Sequence, residues 1–114
     1  MEETLKKLGI IDYTITEDGL VDVDGDVYLS CRGLQEIPVA FGKITGSFYC
    51  DNNEISVLNN VPTEVGRDFW FHNNPIENPR EQSEKLSLRE RVVGAITYSL
   101  NLEEWWNEAP KATK

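Results

Sequence analysis

The chain has 114 residues, enough for one domain with its own core. Asp and Glu number 20 against 11 Lys and Arg, for a net charge of −9, which argues against direct binding to nucleic-acid phosphates and favours a basic partner surface. No apolar run approaches a membrane span, and Met1 to Lys7 lack the apolar core of a signal peptide, so the expected setting is the cytoplasm, without membrane contact.

In chain order, Glu2 to Leu8 have the composition of a short helix stopped by Gly9, too short to persist unless it packs. Tyr13 to Thr16 and Leu20 to Val23 are β-rich runs around Glu17, Asp18 and Gly19, a turn at hairpin spacing. Residues 1–22 are therefore expected to be a cap whose β-hairpin covers the segment beginning at Val23. Asp22, Asp24 and Asp26 have the spacing of calcium ligands, but Val27 and Gly33 stand where an EF-hand loop needs Gly and Glu.

From Val23 the sequence repeats every 21 residues without a gap. Val23, Ile44 and Val65 form one apolar column, and Val27, Phe48 and Phe69 a second. Leu29, Cys50 and Phe71 form a third, Leu34, Ile55 and Ile76 a fourth, and Ile37 pairs with Leu58. Two apolar residues separated by one point to the same side of a strand, so Phe48 and Cys50 face inward and Tyr49 outward. Asn53 and Asn74 come where the chain turns away, and there an amide can bond backbone groups that no ladder reaches. Arg32 holds the same place in the first repeat and cannot accept hydrogen bonds, which predicts a rearranged turn there.

Alternation also gives the outward set: Asp26, Tyr28 and Ser30; Ser47, Tyr49 and Asp51; Asp68, Trp70 and His72. Tyr28, Tyr49 and Trp70 recur at the repeat interval and predict an aromatic stripe with an acidic border. Cross-strand aromatic pairs support a small sheet. Tyr and Trp are also the residues most enriched at interface hot spots, so Tyr28, Tyr49, Trp70, Asp26, Asp51, Asp68 and His72 are the candidate partner-binding residues. Cys50 falls in a core column and Cys31 at the turn, which predicts two free thiols. His72 is the single histidine, and the chain has neither zinc-ligand spacing nor a phosphate-binding glycine loop nor a nucleophile elbow. No cofactor, metal or catalytic residue is expected.

After Ile76 the composition changes. Ser87 to Glu90 read as a capping box before an apolar series at Leu88, Val92, Ile96 and Leu100, one face of a helix of about three turns. Asn101 to Glu104 repeat that logic, predicting a second short helix with Trp105 and Trp106, ended by Pro110. Residues 80–114 are expected to be a helical cap and tail.

The pattern apolar-x-apolar-x-x-Asn-x-apolar over residues 23–76 resembles the leucine-rich-repeat family. More narrowly, Gly46 to Asn53 and the step Val61 to Gly66 resemble short repeat proteins encoded by tailed bacteriophages and some bacteria. The resemblance implies a right-handed α/β solenoid with a small parallel sheet on one face, three repeat units over residues 23–79, and protein binding without a reaction. It points to a phage product that binds, and inhibits, a bacterial host protein in the host cytoplasm. A second reading has the acids imitate nucleic acid in a host enzyme's cleft; a third makes the chain a self-assembling structural component.

Overall fold

A computed structural model describes residues 2–97. Helix α1 (Glu2–Lys7) is followed by β1 (Tyr13–Ile15), β2 (Val21–Val23), β3 (Val27–Tyr28), β4 (Phe41–Ile44), β5 (Phe48–Tyr49), β6 (Glu64–Val65) and β7 (Phe69–Trp70). Helices α2 (Pro79–Leu86) and α3 (Leu88–Arg91) and strand β8 (Ile96–Thr97) complete the α/β arrangement. Strand order is β1-β2-β4-β6 in one sheet and β3-β5-β7-β8 in the other. Among the described residues only β1 and β2 pair antiparallel, with Tyr13 opposite Val23; the other pairs are parallel.

The single small sheet expected from the sequence is thus two sheets. Each repeat breaks its extended stretch at a bend, Thr45 and Gly46 in one unit and Gly66 and Arg67 in the next. Hydrogen bonding continues through the bends: Thr45 N donates to Val23 O at 3.1 Å, Gly46 N to Gly25 O at 2.9 Å and Arg67 N to Gly46 O at 3.1 Å. Aspartates secure these bends and the break in register between β2 and β4. Asp22 Oδ1 accepts from Lys43 N at 2.7 Å, Asp26 Oδ1 from Ser47 N at 2.7 Å and Asp68 Oδ1 from Ala95 N at 2.9 Å. Each carboxylate meets an N–H one repeat further along, satisfying a donor that a straight ladder would have paired.

The core follows the predicted columns. Val23, Ile44, Val65, Val27, Phe48, Phe69, Leu29, Cys50, Phe71 and Ile55 are all buried, with Leu34 and Ile76 half-buried at the margin. Phe41, Phe48 and Phe69 interlock edge to face at 5.2 and 5.3 Å between centroids, a geometry that aligns ring edges with the electron-rich ring faces. Leu5 of α1 and Leu88 of α3 are buried in the same cluster, so neither short helix stands alone.

Asn53 and Asn74 stitch the turns. Asn53 Oδ1 accepts from Arg32 N at 2.9 Å and Leu34 N at 3.0 Å, while its Nδ2 donates to the Leu29, Cys50 and Asp51 carbonyls. Asn74 does likewise, accepting from Ile55 N at 3.0 Å and donating to the Cys50 and Phe71 carbonyls. Cys31, Asn52 and Asn73 share a left-handed backbone with φ of 59°, 57° and 60°, one residue before the Asn column. The first turn differs by a second left-handed residue, Gly33 at φ 67°. Arg32 swings out and donates through Nη2 to the carbonyls of Leu8 and Tyr28 at 3.3 and 3.0 Å.

The C-terminal expectation needs correction. Ser87, read as a helix cap, has a left-handed backbone (φ 54°) that separates α2 from α3 and makes no side-chain capping bond. The helix ends at Arg91. Val92 is extended and bridges Val65 in parallel, and β8 pairs with β7 so that Ile96 lies opposite Phe69. Residues 92–97 are therefore a further strand row on the sheet instead of a helical cap. Leu88, Val92 and Ile96 are all buried, as expected, but from different backbone conformations. The second helix expected around Trp105 and Trp106 lies outside the described residues.

Candidate functional site

Tyr28, Tyr49 and Trp70 come from β3, β5 and β7, whose parallel register places Tyr28 opposite Tyr49 and Tyr49 opposite Trp70. Equal inward columns on both sides force that register, because slipping one residue would turn Phe48 and Phe69 out of the core. The rings touch. Tyr28 and Tyr49 stack at 5.1 Å and 15°; Tyr49 and Trp70 meet edge to face at 4.9 Å and 79°. Tyr28 is 60% exposed at the end of the row, whereas Tyr49 and Trp70 are half-buried.

The acidic border has another role. Asp26 receives the Ser47 N–H and also the Tyr28 hydroxyl, at 2.9 Å to Oδ2. These two hydrogen bonds, the backbone one foremost, hold its carboxyl below the usual range, and the same contact raises the Tyr28 phenol. Asp68 is fixed by Ala95 N, and its own N–H donates to Ser47 Oγ at 3.1 Å. Asp26 stays exposed and Asp68 half-buried, so both remain part of the face while holding the repeats together.

Asp51 departs from the expected exposed position: it is buried. Its Oδ1 accepts from Ser30 Oγ at 2.7 Å, its Oδ2 from Asn52 Nδ2 at 2.8 Å, and His72 Nε2 lies 3.7 Å from that second oxygen. The neighbouring polar residues of the same outward row close over it. His72 in turn shares a 2.8 Å hydrogen bond between Nδ1 and Thr97 Oγ1, and its ring sits 5.4 Å from Trp70. Ser30, Asp51, His72 and Thr97 thus form a polar chain beside the aromatic row. Ser30 and Thr97 are not among the candidate residues that the sequence singles out. Ser30 can be found as the register partner of Asp51 and His72, but Thr97 is hidden by the helical periodicity of its segment.

In this chain the Ser30 hydroxyl bonds the Asp51 carboxylate directly, and His72 lies between that carboxylate and the Thr97 hydroxyl. Among the described residues no group of three or more His, Cys, Asp or Glu could hold a metal ion. Cys31 and Cys50 are free, the first exposed, and burial pushes the Cys50 thiol up to about 12, away from nucleophilic chemistry.

A shallow depression of about 330 Å³ lies on the face, lined by Tyr28, Ser30, Tyr49, Asp51 and Trp70. It is open and lined by three aromatic rings, hydroxyls and one carboxylate, which suits the side chains of a macromolecule better than an enclosed small ligand. No helix of the described residues is long and apolar enough to cross a membrane. Compared with protein-family models, curated proteins and solved structures, the chain gives no match.

Proposed function

We propose that the chain is a non-enzymatic protein-binding module of leucine-rich-repeat type, resembling the short repeat proteins of tailed phages, whose aromatic face docks onto a bacterial host protein and inhibits it. The observation that carries this reading is the continuous row of Tyr28, Tyr49 and Trp70, with stacked and edge-to-face rings on neighbouring parallel strands. A rigid row of aromatic groups on strands, framed by polar residues, has the composition of an interface hot spot with a polar rim. The 21-residue register of the parallel strands and the buried Asn53 and Asn74 support the repeat type, since a strand row recurs in each unit and the Asn turn in the second and third.

Imitation of nucleic acid is the less favoured reading. Asp22, Asp26 and Asp68 each accept a backbone N–H from the next unit, which accounts for their placement without a ligand. Affinity capture from bacterial lysate with wild type and with Tyr49→Ala, followed by mass spectrometry, tests the proposal. It holds if a host protein retained by wild type is lost with the variant, and fails if both retain the same protein equally.

A further inference from the structure

We propose that the outer ring face of Tyr28, together with the Asp26 carboxylate, is a subsite for a guanidinium group, so that the partner of this face presents an arginine. The inference rests on the docking face proposed above. Among the described residues Tyr28 lies on the edge strand β3, and Tyr49 stacks on one side of its ring while the residue stays 60% exposed on the other. Its hydroxyl donates to Asp26 Oδ2, which moves electron density into the ring and makes that face more attractive to a cation. Asp26 accepts one hydrogen bond at each oxygen, from Ser47 N and from Tyr28, and each oxygen keeps acceptor capacity.

The Asp51 carboxylate also lines the depression but is buried and bonded by Ser30 and Asn52, so Asp26 is the carboxylate within the subsite. None of the five residues lining the depression is cationic. Of the arginines nearby, Arg32 is directed to the backbone carbonyls of Leu8 and Tyr28, and Arg67 exerts the weakest of the effects that lower Asp26. Negative charge beside an open aromatic face, on a chain of net charge −9, complements a cation. A guanidinium fits better than an ammonium because it is planar, stacks on a ring, and can still direct a fork of donors into a carboxylate at the ring edge.

The probe is the peptide acetyl-Gly-Arg-Gly-amide, titrated into the full chain while the Tyr28 and Tyr49 ring resonances are followed by NMR. The citrulline peptide, isosteric and neutral, serves as the comparison. The arginine peptide should shift the Tyr28 ring and bind about 3- to 10-fold more tightly than the citrulline peptide. Tyr28→Leu and Asp26→Asn should each weaken it roughly 2- to 5-fold, the latter keeping an acceptor for Ser47 N. Asp22→Asn with Asp24→Asn should leave it unchanged. Equal binding of citrulline, an unmoved Tyr28 ring, or an equal loss from the Asp22 and Asp24 changes would overturn the subsite. Loss of a captured host protein on Tyr49→Ala without arginine binding at Tyr28 sinks the subsite and spares the docking face; arginine binding at Tyr28 with capture unaffected by Tyr49→Ala does the reverse.

Discussion

The carboxylate of Asp22 lies where a side chain on Gly42 would have to go: a Cβ built there overlaps Asp22 Oδ1, while the next nearest atom, Leu20 Cβ, is 3.3 Å away. The same oxygen accepts from Lys43 N, so aspartate and glycine are one device, the glycine making room for the carboxylate that ties two repeats. Asp26 with Gly46 and Asp68 with Gly94 repeat it, but there backbone atoms of Gly25 and Arg67 also crowd the glycine.

That difference gives a double-mutant test. Gly42→Ala should cost about 1–3 kcal/mol through overlap with Asp22. In the background of Asp22→Ala it should add little, because the overlapping atom is gone. Gly46→Ala should stay costly in Asp26→Ala, since the Gly25 carbonyl carbon and oxygen are each 2.7 Å from the new Cβ. Denaturant titration of both cycles measures the coupling; equal rescue in both would show that the carboxylates do not set the glycine requirement.

Asn53→Leu should destabilise by at least about 2 kcal/mol, because it strands the N–H groups of Arg32 and Leu34 and takes a donor from the Leu29 carbonyl, while the Cys50 and Asp51 carbonyls keep Asn74 Nδ2 and Cys31 N. Asn74→Leu should cost somewhat less, with only the Ile55 N–H bound to its oxygen. Arg32→Leu should cost least, its bonds lying at the exposed edge. Equal losses for all three in chemical denaturation would contradict the turn assignment.

Cys31 holds a left-handed backbone that Asn52 and Asn73 adopt at the equivalent place. That conformation is unfavourable for a residue with a Cβ, and Asn tolerates it best after Gly. Cys31→Asn should therefore stabilise by roughly 0.5–1 kcal/mol, and Cys31→Val should destabilise. Thermal denaturation ranks them; a stabilising Val would mean that the backbone there is not left-handed.

Burial raises the Cys50 thiol from its ordinary 9.0 to about 12. The unfolded chain loses this proton first as pH rises, so the contribution is whole below about pH 9 and is lost progressively toward pH 12. Cys50→Ala should lower stability at neutral pH through the cavity it leaves, yet flatten the alkaline decline. Denaturation midpoints between about pH 8 and pH 11, for wild type and variant, decide the point. Parallel declines would show that Cys50 does not carry the effect.

The columns through Val23, Val27 and Leu29 are legible in the sequence because three units recur with no gap, and a constant interval fixes both strand register and the inward face. The row at Ile96 is not, because α2 and α3 lengthen the interval between Phe69 and Ile96. Spacing of four residues also deceives: Leu88, Val92 and Ile96 share a face on a helix, and Val92 and Ile96 share one on an extended chain as well. The signal is Gly94-Ala95-Ile96-Thr97, which matches Gly46-Ser47-Phe48-Tyr49 in type. In the candidate site, the aromatic row comes from alternation alone. The burial of Asp51 does not, since alternation tells which side a residue takes and not how deeply Ser30, Asn52 and His72 cover it.

The aromatic row, and not the surplus of acids, is the surface proposed to bind the partner. The most direct measurement is the affinity of the purified host protein, captured with wild type, for Trp70→Ala and for the combined Asp22→Asn and Asp24→Asn variant, at low and at physiological salt. Docking through the row predicts a loss of at least about 2 kcal/mol for Trp70→Ala, a much smaller loss for the aspartate changes, and a shallow salt dependence. A steep fall in affinity with salt, a larger loss from the aspartate changes than from Trp70→Ala, and displacement of the partner by a nucleic-acid ligand would contradict the claim.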